Sequence, residues 1–228
     1  MSNRISQMDA RLVYKTGQDI VVKAQLVLAD VKLTQSTLRF EQQLVIGRTQ
    51  YTFGVLTSDL GSNNSQPTNT EVRLRQQDSF ITSNVAFRLG EPTSAADATY
   101  VDCTYPSPVI FAAAGEAAAL EVLYKGQIKL TVNGDVIIPT LHTGRFRFVP
   151  VTQKATAAAN QNGIAYDAID NATDGVMINE PNLVLIGSKG NIFETSYPTG
   201  VTVIGAAGFT RMIFEFRGLN AQNSTIIT

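Results

Sequence analysis

An antiparallel all-β sandwich is the fold class that this 228-residue sequence predicts, and three observations carry the prediction. The first is an Asn-Gly pair, Asn133 and Gly134, set between two apolar runs. Ile128, Leu130 and Val132 alternate with Gln127, Lys129 and Thr131 before it, and Val136, Ile137 and Ile138 follow it. Alternation of period two marks a half-buried strand. Both central residues of a type I′ turn need positive φ, so Asn-Gly between two such runs is the strongest short-range hairpin signal. The second observation is the same alternation elsewhere, in Tyr51, Phe53 and Val55 and again in Met212, Phe214 and Phe216. The third is the spacing of turn residues, which suits a sandwich or barrel of roughly eight to ten short strands.

Taken in order, residues 20–28 are rich in Val, Leu and Ile and read as a strand running on towards Val31 and Leu33. Leu38, Phe40 and Gln42 alternate with Arg39 and Glu41 as another short strand. Residues 60–70, LGSNNSQPTNT, are a surface loop by composition. Val72 and Leu74 make a short strand, and residues 79–89 a longer one closed by Gly90, Glu91 and Pro92. Residues 100–111, YVDCTYPSPVIF, hold two prolines one residue apart, which predicts extended chain outside any central strand.

Residues 115–123, GEAAALEVL, are the clearest helix, with Gly126 beyond them as a stop. After the Asn-Gly turn, Pro139 lacks a backbone donor, so the return strand ends, bulges or runs along an edge there. Arg145, Phe146, Arg147 and Phe148 read as a further alternating strand ended by Pro150. Residues 154–160 suit a second helical turn or a loop. Leu183, Val184, Leu185 and Ile186 suit a strand buried on both faces, and residues 201–204 another. No repeat of fixed period and no linker divides the chain, so residues 1–228 are expected to form one domain.

Composition narrows the function classes. Charged residues make up 16% of the chain, below the roughly 25% usual for soluble domains. The surface must then be built largely from Thr, Ser, Asn, Gln and Ala, a texture that suits close subunit contacts and is also common in secreted β-proteins, with assembly slightly favoured. Net charge is −1 with no long basic block, so broad nucleic-acid binding is not expected. The mildly basic first 35 residues are the one segment suited to touching an anionic partner, with an ordinary solvated segment the favoured reading. A single cysteine, Cys103, excludes an intrachain disulfide framework. No secretory h-region opens the sequence and no window approaches the roughly 18–20 apolar residues of a membrane span. Synthesis in the cytoplasm is the expectation.

Each chemical candidate competes with a plainer reading. His142 is the one histidine and would have to serve any Ser-His or Cys-His system, yet its setting between Pro139 and Gly144 is that of a loop residue. Val101 and Tyr105 beside Cys103 point to a buried, inert thiol. Asp167, Asp170 and Asp174, with Asn171, are the residues that would gather a hard cation such as calcium, but their spacing is not that of an EF-hand, and loop solvation is favoured. Gly205 and Gly208 lack the following helix, and the Lys, of a phosphate loop, and Gly187 to Gly190 read as a hairpin turn. No catalytic residue and no cofactor is expected.

The segments TYPSPVIF, KLTVNGDVIIP and RFRFVPVTQ, with the Asn/Gln/Thr/Ala texture, resemble bacteriophage virion structural proteins of the β-sandwich or jelly-roll kind. The resemblance implies a single jelly roll with long loops and one or two short helices. It implies a capsid or capsid-associated subunit whose partners are copies of itself and other virion proteins, located in the virion. Residues 1–20 and 218–228 would be interlocking arms. Asn63 and Asn64 in the long loop, and Phe146 and Phe148, would be contact residues, with core packing the competing role for the two phenylalanines. The alternative from another class is a β-sandwich module that binds carbohydrate or a receptor through its loops.

Overall fold

Nine strands form among the described residues, and they pair antiparallel in two sheets. The computed structural model describes residues 11, 15, 31–57, 71–94, 97, 100–149, 175–205 and 208–224, excepting the side chains of residues 83 and 178–182. The strands are β1 (Lys32–Gln43), β2 (Gln50–Gly54), β3 (Ser79–Gly90), β4 (Asp102–Cys103), β5 (Gln127–Val132), β6 (Asp135–His142), β7 (Val176–Ile186), β8 (Asn191–Ser196) and β9 (Arg211–Gln222). One sheet runs β1-β9-β3, with β7 and the short β4 sharing the far edge of β3. The other runs β2-β8-β5-β6. The all-β sandwich expected from the sequence is what forms.

The pairing has a simple order. β5 pairs with β6, β3 with β7, β2 with β8 and β1 with β9. The two halves of the chain therefore lie against each other as one long hairpin that passes three times from one sheet to the other, and its tip is the Asn133-Gly134 turn. Both tip residues have the positive φ that the turn requires, 54° and 85°. Pro139 sits where the β5–β6 register slips, on a strand at the sheet edge, so its missing N–H interrupts little.

The core is the space between the sheets. Phe40 from β1, Phe53 from β2, Phe87 from β3, Phe193 from β8 and Phe214 and Phe216 from β9 are buried there. Phe214 is its centre: its ring stacks on Phe87 at 4.7 Å and meets Phe193 edge-on at 4.8 Å and Phe53 at 5.3 Å. A bulge at residue 83 of β3 reverses which residues face inward. Phe80 faces the core before it, and Val85, Phe87 and Leu89 face the core after it. Thr82 secures the bulge, its Oγ1 donating within reach of the Asn84 and Arg217 carbonyls.

Several expectations need correction. Residues 145–148 do not form a strand: Thr143–Phe146 is a 3-10 turn and Phe146 is fully buried beside Phe87. Core packing is thus the role of Phe146, while Phe148 is half-buried. Residues 218–222 are no arm, because they complete β9 between β1 and β3. The residues from 107 to 111 turn back on themselves, with Phe111 N–H donating to the Ser107 carbonyl, where extended chain was expected. The turn at 187–190 joins strands of different sheets, so it is a corner and no hairpin. Residues 201–204 form no strand. The helix is shorter than expected: α1 (Glu116–Leu120) tightens into a 3-10 segment, Glu121–Lys125, before Gly126 stops it.

Candidate functional site

Two places hold chemistry that the core does not need. The first is the outer face of the β1-β9-β3 sheet. In an antiparallel pair, residues directly opposite present side chains on one face. Arg39 of β1 stands opposite Glu215 of β9, and Glu41 two residues on shares the face. Arg39 donates through Nε to Glu41 at 2.6 Å and through Nη1 to Asp102 at 2.6 Å and Glu215 at 3.0 Å. Its Nη2 reaches Asp102 at 3.1 Å and the Tyr100 hydroxyl at 3.2 Å. Arg211 donates to Glu41, and Arg217 to Glu215, each at 3.1 Å. Arg88 stands 3.8 Å from Glu215.

The cluster is extended along the free edge of β1. Glu71 accepts from the Glu41 backbone N–H and is paired with Arg73, both side chains being almost fully buried. Val72 between them forms a bridge to Arg39. The electrostatics follow from burial and pairing. Burial alone would lower the pKa of Arg39, but Asp102 and Glu41 outweigh it and hold the guanidinium far above its ordinary value. Burial alone would raise the Glu215 carboxyl, and Arg88, Arg217 and Arg39 together bring it below the ordinary range. Such a network fixes geometry. Its members are engaged with one another.

The second place is the β2-β8-β5-β6 sheet, whose outer face carries exposed apolar side chains. Val136 of β6, Thr131 of β5 and Ile192 of β8 lie in one row across it. Val136 and Ile192 are each about half exposed, as is Ile137 on the same edge strand. Val45 and Ile46, in the turn between β1 and β2, are exposed too. Lys129 and Glu194, on the same sheet, form a loose ion pair at 3.8 Å.

The residues singled out in the sequence fall as follows. His142 is exposed at the end of β6, and its Nδ1 accepts from the Gly144 N–H at 3.1 Å, capping the 3-10 turn. Cys103 lies in the other sheet, buried, with its thiol pushed up to about 12 by burial first and by Asp102 next. The two are therefore not brought together. Asp167, Asp170, Asp174, Asn63 and Asn64 lie outside the described residues, as do residues 1–20 apart from Arg11 and Lys15. Among the described residues, no group of three or more His, Cys, Asp or Glu side chains is placed to hold a metal ion. Nor is any helix among them long and apolar enough to cross a membrane. The charge cluster was invisible in the sequence, since Arg39 and Glu215 are 176 positions apart; Arg39 and Glu41 beside apolar neighbours were the one local sign. No protein-family model, no curated protein and no solved structure matches the chain.

Proposed function

We propose that this protein is a structural subunit of a viral particle, of the phage type its sequence resembles, and acts by assembling with copies of itself into a capsid or capsid-associated layer. The strand order supports this reading most. Leaving aside the two-residue β4, the sheets run β1-β9-β3-β7 and β2-β8-β5-β6, the order expected when one long hairpin rolls up as an eight-stranded jelly roll. Capsid subunits and lectin domains both use that architecture. Fold alone does not select between them. The exposed apolar row of Val136 and Ile192, the adjoining Ile137, and the low charge favour a surface that meets another subunit.

The test is native mass by light scattering, with negative-stain microscopy of the same fraction, on the full chain and on the double variant V136E/I192E. Rings or closed particles that the variant cannot form are the expected result. A full chain that stays monomeric at micromolar concentration would overturn the assembly reading. Saturable binding on a glycan array would then turn attention to the carbohydrate- or receptor-binding alternative.

A further inference from the structure

Where β3 ends, two connections between the sheets meet. One runs from β4 through α1 to β5, and the other from β8 to β9. Glu116, the first residue of α1, ties them together. Its side chain is fully buried, and Oε1 accepts from the Gly205 N–H and from the Thr210 hydroxyl, at 2.5 and 2.9 Å. Its second oxygen, Oε2, is buried with no hydrogen-bond partner. Glu91, one residue beyond β3, brings its own carboxyl to the same spot. A methyl group placed on Gly205 would stand 2.3 Å from Glu91 Oε1 and 3.4 Å from Glu116 Oε1. Gly205 thus leaves the space into which the two carboxyls converge.

We propose that Glu91 and Glu116 form a proton-controlled latch that holds the two connections together at this end of the sandwich. A fully buried carboxylate and a half-buried one brought together repel one another, and one proton between them removes the repulsion and supplies a donor. Burial first, and the charge of Glu116 second, push the Glu91 carboxyl up to about 7. Among the described residues, Arg211, which follows Thr210 and stands opposite Gly90, is paired with Glu41. Cys103 on β4 lies next to Glu91 but is neutral, while Arg88 and Asp102, which act on Cys103, are engaged with Glu215 and Arg39. A hard cation is the rival occupant. Calcium takes about six to eight oxygen ligands, and the described residues offer no third carboxylate here.

The sign of the effect is set by the upward shift. A carboxyl whose pKa is raised by folding binds its proton more tightly in the folded state. Stability is therefore undiminished below the ordinary carboxyl pKa, and falls as pH rises from there to about 7. One proton limits the slope to about tenfold in the folding constant per pH unit.

The experiment follows chemical denaturation of the full chain from about pH 5 to pH 8, comparing the native sequence with E91Q. The Gly205 amide is followed by NMR on the same samples. The native protein is expected to lose stability from about pH 5 up to about 7 and to level off above that, and its Gly205 amide to shift with a midpoint near 7, where the fall ends. E91Q, whose side chain is only half-buried and so tolerates the change, is expected to be flat in both. Equal pH slopes in the two proteins, or a Gly205 amide that ignores the titration, would overturn the latch. Full recovery of the native protein's stability at pH 8 on adding millimolar calcium, absent in E91Q, would overturn it in favour of a cation site.

Discussion

Arg39 and Asp102, 63 positions apart, meet through two nitrogen–oxygen contacts at once, Nη1 to Oδ2 at 2.6 Å and Nη2 to Oδ1 at 3.1 Å. This fork-to-fork contact fixes the angle of the guanidinium, so that its remaining N–H groups fall on Glu41, Glu215 and Tyr100. One residue thereby joins strand β1, strand β9 and the segment around β4. Replacing it with Met keeps length and apolar bulk but leaves three carboxylates short of their cation. Breaking a buried pair in this way costs about 3–5 kcal/mol, so R39M is expected to lose that much in a urea titration. R39K keeps the charge and loses the fork, and should fall between the two. A loss below about 1 kcal/mol for R39M, the size typical of a surface pair, would show that the cluster contributes little.

Glu215 governs the acid limb of stability. Its carboxyl titrates below the ordinary range because three arginines outweigh its burial. A depressed folded-state pKa contributes stability that is present above the unfolded value, about 4.3, and is lost as pH falls through the folded one. E215Q should therefore show a shallower decline than the native chain when thermal stability is followed from about pH 5 downward. The native protein would be most stable at mildly acid pH, between this loss and the opposite one set by Glu91.

The hairpin tip and the bulge make opposite uses of glycine. At Gly134 the φ is 85° and nothing lies within 4 Å of an added methyl group. Ala there meets only the left-handed backbone cost, about 1–2 kcal/mol. At Gly218 an added methyl would stand 1.9 Å from the Ile81 carbonyl oxygen, a backbone atom that cannot swing aside. G134A is expected to give a folded protein of slightly lower midpoint, and G218A to lose soluble folded material altogether. Equal stability of the two variants in a denaturant titration would contradict this account.

Cys103 should resist thiol reagents. It is 2% exposed, and burial pushes its thiol up to about 12, leaving almost no thiolate at neutral pH. Labelling by a disulfide reagent is expected only as fast as the protein unfolds, and at once in denaturant. Rapid stoichiometric labelling of the native protein would place the thiol at the surface.

What the sequence disclosed was local. Asn133-Gly134 announced its turn because the required φ values belong to those residue types, and Pro139 announced an edge because it lacks a donor. The alternation of Met212, Phe214 and Phe216 gave β9 but not its length: Gly218 read as the start of a tail, whereas it is the residue that lets β9 pass close to the bulge in β3. Arg-Phe-Arg-Phe imitated a strand because alternation over four residues also fits a tight turn that buries one ring. Sheet order, the Arg39 cluster and the Glu91–Glu116 pair depend on residues brought together from far along the chain. No local pattern reports them.

The mirrored pairing of the two halves sets a timetable for synthesis. β5 and β6 are made in succession and are separated by two residues, so they can pair as soon as both exist. β1 is made first among the described strands, and its partner β9 is made last, with Lys32 opposite Gln222. Such distant contacts are slow to find and costly in chain entropy. During translation β1 waits with an unsatisfied edge until residues 211–222 have left the ribosome, and β3 waits beside it for the same strand. A chain ending before Arg211 lacks the strand that lies between them, so premature termination leaves two open edges where the finished protein has a continuous sheet.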